Sequence, residues 1–239
     1  MSALEQLLEV QALDTTADQL RHRRSHLPEQ AELDAVQSAL AGLEAKASEL
    51  QAQRDELARN EKRLEDEIAL VREKSAQTDK TLYSGTVNVP RELSALQEEI
   101  EALARRQRQL EDQELELMEQ AEPLDAELAT LAAQRSVLDE QATSLLGRIA
   151  EQEVVIDAEL ADVLSKRDDA VSGIPADLLE EYQQLRGGLG GIGVARLNGN
   201  RCEGCHLTLS AVDVDRIRHD RSGAHEVAHC TECNRILVP

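Results

Sequence analysis

From Leu33 onward, apolar residues recur at alternating steps of three and four: Leu33, Val36, Leu40, Leu43, Ala47, Leu50, Leu57, Leu64, Ile68 and Val71. Arg54 and Glu61 fall in the same register. A second series runs from Leu93 through Leu96, Ile100, Leu103, Leu110, Leu117, Ala121, Leu124, Leu128, Leu131, Leu138, Ala142 and Leu145 to Ile149. Gln107, Glu114 and Arg135 occupy equivalent positions there. The intervening residues are mostly charged. Such an a/d repeat, sustained along both arms, predicts two long helices wound as a coiled coil. The polar core positions are read as devices that fix register at some cost in stability, and Glu61 is expected to face Glu114.

The segment LYSGTVNVPREL, residues 82–93, separates the two series. Gly85 can adopt a positive φ. Pro90 cannot continue a helix but suits the first turn of a new one, and it biases Val89 toward extended backbone. The first helix is therefore expected to stop near Lys80 and the second to start at Pro90. A short connection between two long helices makes an antiparallel hairpin, with arms on the order of 80–120 Å at 1.5 Å per residue. The turn sets a register in which paired residue numbers sum to about 175 and Leu64 lies near Leu110. Pro28 cuts off an N-terminal helix of residues 2–26, with an apolar stripe of Val10, Leu13, Ala17 and Leu20. That helix is expected to pack on the second arm at residues 145–170. Pro123 is expected to kink the second arm.

After residue 172 the pattern changes. Pro175 opens a short helix, ADLLEEYQQLR, followed by GGLGGIG. Gly188, Gly190 and Gly193 spell G-x-G-x-x-G, but they follow a helix and no βαβ pattern surrounds them. A dinucleotide site requires that context, so residues 173–195 are read as a short helix and a flexible glycine-rich linker. The domain reading is then residues 1–172 as hairpin, with its tip near 81–91, and residues 196–239 as a separate module.

All four cysteines lie in that module, as Cys202-Glu-Gly-Cys205 and Cys230-Thr-Glu-Cys233. Each C-x-x-C turn presents two thiolates on one side, and two such turns complete a tetrahedral site for one structural zinc. Four thiolates leave no open position for water, so catalysis at the metal is not expected. His206, His219, His225 and His229 flank or separate the pairs and are alternative ligands, although four cysteines already suffice. IGVARLN, HEVAH and RILV are read as short strands, and Ser210 with Asp213 as the start of a helix over Ala211–Arg218. The fold class is thus mainly α: a long antiparallel coiled-coil hairpin followed by a small C-terminal four-cysteine zinc ribbon.

Charge narrows the partners. The chain carries 26 basic and 47 acidic residues, a net charge of −21. Residues 196–239 contribute six arginines and six acids, so the whole excess belongs to residues 1–195. Such a body is repelled by phosphate backbones and by anionic membranes. The ribbon lacks aromatics for base stacking, which leaves nucleic-acid binding as the alternative and a protein partner as the first expectation. The start, MSALEQLLEVQALD, has no basic n-region before an apolar run and predicts no signal peptide. Without any span of membrane length, this points to the cytoplasm. No nucleophile–base constellation suggests an enzyme. A role reaching into RNA polymerase would call for an acidic tip, and TLYSGTVNVP contains no acid.

The acidic hairpin, the loop LYSGTVNVPREL, the knuckle NGNRCEGCHLTL and the ending CTECNRILVP together resemble the bacterial C4-type zinc-ribbon, coiled-coil hairpin family of CdsZ-like regulatory proteins. The likeness covers nearly the whole chain. It implies zinc ligation by Cys202, Cys205, Cys230 and Cys233, and a tip motif at Tyr83, Gly85, Pro90, Glu92 and Leu93. Val89 and Asn234 depart from the family pattern; Asn234 stands where glycine commonly follows the last cysteine, and asparagine tolerates the left-handed turn. The resemblance further implies a non-enzymatic adaptor. Some members bind an alternative sigma factor and a secretion or flagellar ATPase, and RNA binding is attributed to one branch. Tyr83, one of two aromatic residues in the chain, is expected either to anchor a partner or to cap the last coiled-coil layer on Leu82 and Leu93.

Overall fold

The computed structural model describes residues 2–219 and 227–239. Helix α1 (Ala3–Ser25) is followed by α2 (Pro28–Tyr83), α3 (Pro90–Val171) and α4 (Ala176–Gly188). Strands β1 (Val194–Asn198) and β2 (Arg201–Cys202), helix α5 (Ala211–His219) and strand β3 (Ile236–Val238) complete the chain. Among the described residues no helix is long and apolar enough to cross a membrane.

Residues 32–145 form one compact unit. There α2 and α3 run antiparallel, as the ion pairs between them show. Lys46 pairs with Glu127, Glu67 with Arg106, and Lys74 with Glu99, each pair summing to 173. Arg54 with Asp125 and Glu44 with Arg135 sum to 179, and Arg72 with Glu111 to 183. Helix α2 runs three residues beyond the expected stop, to Tyr83, and α3 passes through Pro123 without interruption. Leu50, Ile68, Leu110, Ala121 and Leu131 are buried in the seam. Glu61, expected to face Glu114, accepts from Arg54 at 3.3 Å, and Arg54 also donates to Asp125 at 3.0 Å. Arg135 is 58% exposed and pairs with Glu44 and Asp139, so it is a flanking residue and not a core position.

The second compact unit joins residues 1–31 to 146–239. Residues 1–31 and 146–172, grouped with the hairpin on sequence, therefore share a unit with everything from 173 onward. Ser2 caps α1 in a reciprocal box with Glu5. As expected, α1 lies against α3: Arg24 bonds Asp157 at 2.7 Å and Arg167 bonds Asp14 at 2.6 Å. The buried face of α1 is Leu7, Val10, Gln11, Asp14, Ala17 and Leu20. Two polar residues thus lie where only an apolar stripe was expected.

The glycine segment is built into this unit. Gly190 and Gly191 have φ of 70° and 91°. Gln11 donates from Nε2 to the Gly191 carbonyl at 2.9 Å and accepts from the Gly193 N–H at 2.8 Å. A Cβ on Gly193 would lie 2.7 Å from the Tyr182 carbonyl oxygen. The flexible-linker reading fails here because a side chain some 180 positions upstream supplies the hydrogen bonds that the segment's backbone requires.

Candidate metal centre

The module after residue 193 is a three-stranded sheet of order β2-β1-β3, in which β1 pairs antiparallel with β2 and parallel with β3. IGVARLN and RILV become β1 and β3. Of HEVAH, His225 and Glu226 lie outside the described residues, and His229 forms a lone bridge to Ile236. Ser210 accepts from the Asp213 N–H at 3.2 Å and starts α5.

The two cysteine turns repeat one backbone design. The N–H of His206 donates to the Cys202 carbonyl at 2.8 Å, and that of Asn234 to the Cys230 carbonyl at 2.9 Å. The N–H groups of Cys202 and Cys230 donate in turn to Leu207 and Arg235. Both turns close on a left-handed residue, His206 at φ 62° and Asn234 at φ 60°. Asn234 accommodates the turn as expected. His206 serves as the matching left-handed residue, a role its ring chemistry did not suggest. Gly204 is required for space, since a Cβ there would lie 2.6 Å from Arg235 Cδ and 3.0 Å from Ala195 Cβ.

These turns bring the four Sγ atoms within 4.8 Å of one another. Cys202 and Cys233 are 4.0 Å apart and Cys205 and Cys230 3.9 Å. A disulfide needs about 2.05 Å, whereas a tetrahedron with Zn–S bonds of about 2.3 Å places its sulfurs about 3.8 Å apart. The donor set therefore fits one structural zinc. Burial pushes the Cys202 thiol up and that of Cys230 up to about 12. Burial also raises Cys233, but the Arg235 N–H and the neighbouring thiols outweigh it and hold Cys233 at about 7. Metal binding must displace protons from this set.

Among the described residues, the clustered metal-ligating atoms are those of the four cysteines, with no histidine. His229 Nε2 lies 2.8 Å from Glu181 Oε1 of α4; His225 and the side chain of His219 lie outside what is described. Four ribbon arginines hold the module itself together. Arg201 donates to the His206 carbonyl, Arg218 to that of Gly199, and Arg235 to those of Ile192 and Leu189. Arg216 pairs with Asp213.

The tip residues lie apart from the cysteines in sequence and form their own structure. Gly85 adopts φ 73°, and Ser84 Oγ bonds the Thr81 carbonyl and Thr86 Oγ1. Pro90 opens α3, Glu92 is exposed in its first turn, and Leu93 is half-buried. Tyr83 is 81% exposed, so little of its ring is available to cap the coiled-coil core.

The fold and the site together define a coiled-coil hairpin protein that carries a four-cysteine zinc ribbon. The chain belongs to the CT398-like coiled coil hairpin family, whose model matches residues 10–190; the C4-type zinc ribbon domain matches residues 201–237. The uncharacterized Mycobacterium tuberculosis proteins MT2288 and Rv2229c are each 30% identical to it, over 97% of this chain and 93% of theirs. A solved structure from Mycobacterium smegmatis superposes with a TM-score of 0.85 at 28% identity, over 100% of this chain and 98% of that one. CT398 from Chlamydia trachomatis shares the fold with a TM-score of 0.70 at 23% identity, over 98% of this chain and 96% of its own.

Proposed function

We propose that this zinc-binding hairpin protein is a non-enzymatic, cytoplasmic adaptor or regulatory protein that offers its tip and ribbon to protein partners. The observation that carries the reading is Tyr83. A large aromatic held 81% exposed on a turn that its own hydroxyls brace costs solvation and adds little internal packing. Aromatics so placed supply contact area at low entropic cost and are enriched among interface anchors. The uncharged segment TLYSGTVNVP surrounds it in a chain of net charge −21, so the tip is the place where a protein partner meets least charge repulsion.

The ribbon supports a protein partner over nucleic acid. Arg201, Arg218 and Arg235 donate to backbone carbonyls and Arg216 to Asp213, and six acids balance the six arginines of residues 196–239, so the module lacks the net basic charge that phosphate binding usually uses.

The test compares wild type and Tyr83→Ala as bait in native lysate, with and without nuclease. Partners that survive nuclease and are lost with Tyr83→Ala, while helicity and melting are unchanged, support the adaptor. Partners lost on nuclease treatment would replace it with a nucleic-acid regulator. Equal capture by both baits would remove Tyr83 from the site.

A further inference from the structure

The small sheet has two faces, and each belongs to a different core. Val194, Ile236 and Val238 pack with Leu7 and Val10 of α1 and with Tyr182 of α4. Ala195, Leu197 and Leu237 pack with the ligand cysteines Cys202 and Cys230 and with Leu209 and Val214. Alternation along a strand makes this unavoidable, because neighbours in β1 and β3 point to opposite sides. Ile236 and Leu237 are adjacent residues, both fully buried, one in each core.

The polar contacts follow the same division. Arg235 follows the second knuckle directly. Its carbonyl accepts from the Cys230 N–H at 2.9 Å, and its guanidinium donates to the Ile192 and Leu189 carbonyls at 2.9 Å each. The adjacent Gly191 and Gly193 are held by Gln11 of α1. His229, next to Cys230, bonds Glu181 of α4. The knuckles and α1 are therefore joined twice, through the strands and through the glycine segment.

We propose that zinc occupancy of the ribbon and docking of α1 on the sheet are coupled equilibria, so that loss of the metal uncovers the face of α1 that the sheet buries. Without zinc the four thiol positions lose the bond that holds the two knuckles at fixed separation. β3 is three residues long and starts three residues after Cys233, so the second knuckle sets where it meets β1. When β3 loosens, Ile236 and Val238 leave the α1 core, and the apolar residues Leu7 and Val10, now fully buried, become accessible. Linkage makes the effect reciprocal: whatever factor zinc contributes to α1 docking, docking contributes to zinc retention.

The chain provides its own reporter. It has no Trp and two Tyr, so a Tyr83→Phe background leaves buried Tyr182 as the single fluorophore. Stripping zinc with a chelator is expected to expose Tyr182 to an aqueous quencher. It is also expected to lower amide-exchange protection over residues 7–17, while protection around Ile68 is unchanged. Gln11→Ala is expected to weaken zinc affinity, measured at equilibrium by competition with a chromogenic chelator, by about tenfold, within the usual range of coupling factors. Leu50→Ala, in the other compact unit, controls for general destabilisation and is expected to leave that affinity unchanged. Should Gln11→Ala fold poorly, Val10→Ala serves in its place. Protection of residues 7–17 equal in the metal-free and zinc-loaded proteins would overturn the proposal. So would a Gln11→Ala or Val10→Ala zinc affinity equal to wild type.

Discussion

Replacing Asp14 with alanine is expected to destabilise the unit formed by residues 1–31 and 146–239 more than any single change to an exposed ion pair. Asp14 is 5% exposed and joins three helices. Its Oδ1 accepts from Arg167 at 2.6 Å, its Oδ2 accepts from the Tyr182 hydroxyl at 2.8 Å, and Arg186 lies at 3.7 Å. Removing the carboxylate leaves the largely buried Arg167 guanidinium without its main partner and the fully buried Tyr182 hydroxyl without an acceptor. Breaking a buried pair costs about 3–5 kcal/mol. An orphaned hydroxyl costs about 1–3 kcal/mol on its own, but the two losses share one group and do not add. A total of about 4 kcal/mol, with a urea m-value of about 1–3 kcal/mol per molar, lowers the midpoint by at least about 1 M. The assay is urea unfolding followed through Tyr182 in a Tyr83→Phe background. By comparison, Lys62→Ala removes exposed pairs with Glu65 and Asp66 and is expected to leave the midpoint nearly unchanged, since exposed pairs contribute little. A loss below about 1 kcal/mol for Asp14→Ala would refute the reasoning. Burial, with the Asp14 contact, raises the Tyr182 pKa far above 10. The unfolded chain therefore loses that proton first: this stabilisation is complete below about pH 10 and disappears as the pH climbs toward the folded value. Tyr182→Phe should abolish that alkaline loss.

Gly193→Ala, with its Cβ forced to 2.7 Å from a backbone oxygen, should cost about 1–3 kcal/mol. Gly42→Ala, with open space in mid-helix, should instead stabilise by about 0.5–1 kcal/mol in thermal melts. Cysteines introduced at Leu64 and Leu110 should form a disulfide under mild oxidation, detected by a gel shift that reductant reverses. Ready crosslinking of Leu57→Cys with Leu110→Cys in its place would show the register to be displaced by a heptad. Burial raises Cys202 and Cys230, so zinc titration in a weak buffer at pH 7 should release protons, and apparent affinity should weaken as pH falls. Affinity independent of pH from 6 to 8 would contradict this assignment of the thiols, since competition with protons at about that range is the ordinary behaviour of such sites.

The sequence already shows whatever depends on local repetition. The heptads, the breaks at Pro28 and Pro90, the cysteine turns and the cap at Ser210 each announce themselves within a few residues. The structure agrees on all of these, apart from the heptad position Arg135, which is exposed, and the three extra residues at the end of α2. What sequence does not show is the underside of α1. Gln11 and Asp14 extend the same helical period as Leu7, Val10 and Ala17, but they are polar, and their partners lie 153–182 positions away. A Gln aimed at two glycine backbones leaves no local signal, so the glycine segment reads as a linker. Likewise, the parallel pairing of β1 with β3 depends on how the two knuckles meet, and the spacing of the cysteines does not specify it. The Arg54–Glu61–Asp125 contact is hidden for a different reason: Arg54 and Glu61 each look like isolated core defects, although they lie two turns apart on one face.

The most direct test of the account is the metal content of protein purified without chelator, measured together with the mass of the intact chain under native conditions. One zinc per chain is expected, falling to none with Cys202→Ser/Cys233→Ser while the helical signal of the hairpin remains. A wild-type chain that carries far less than one zinc, or the same zinc content in the double variant, would contradict the site at the centre of this structure.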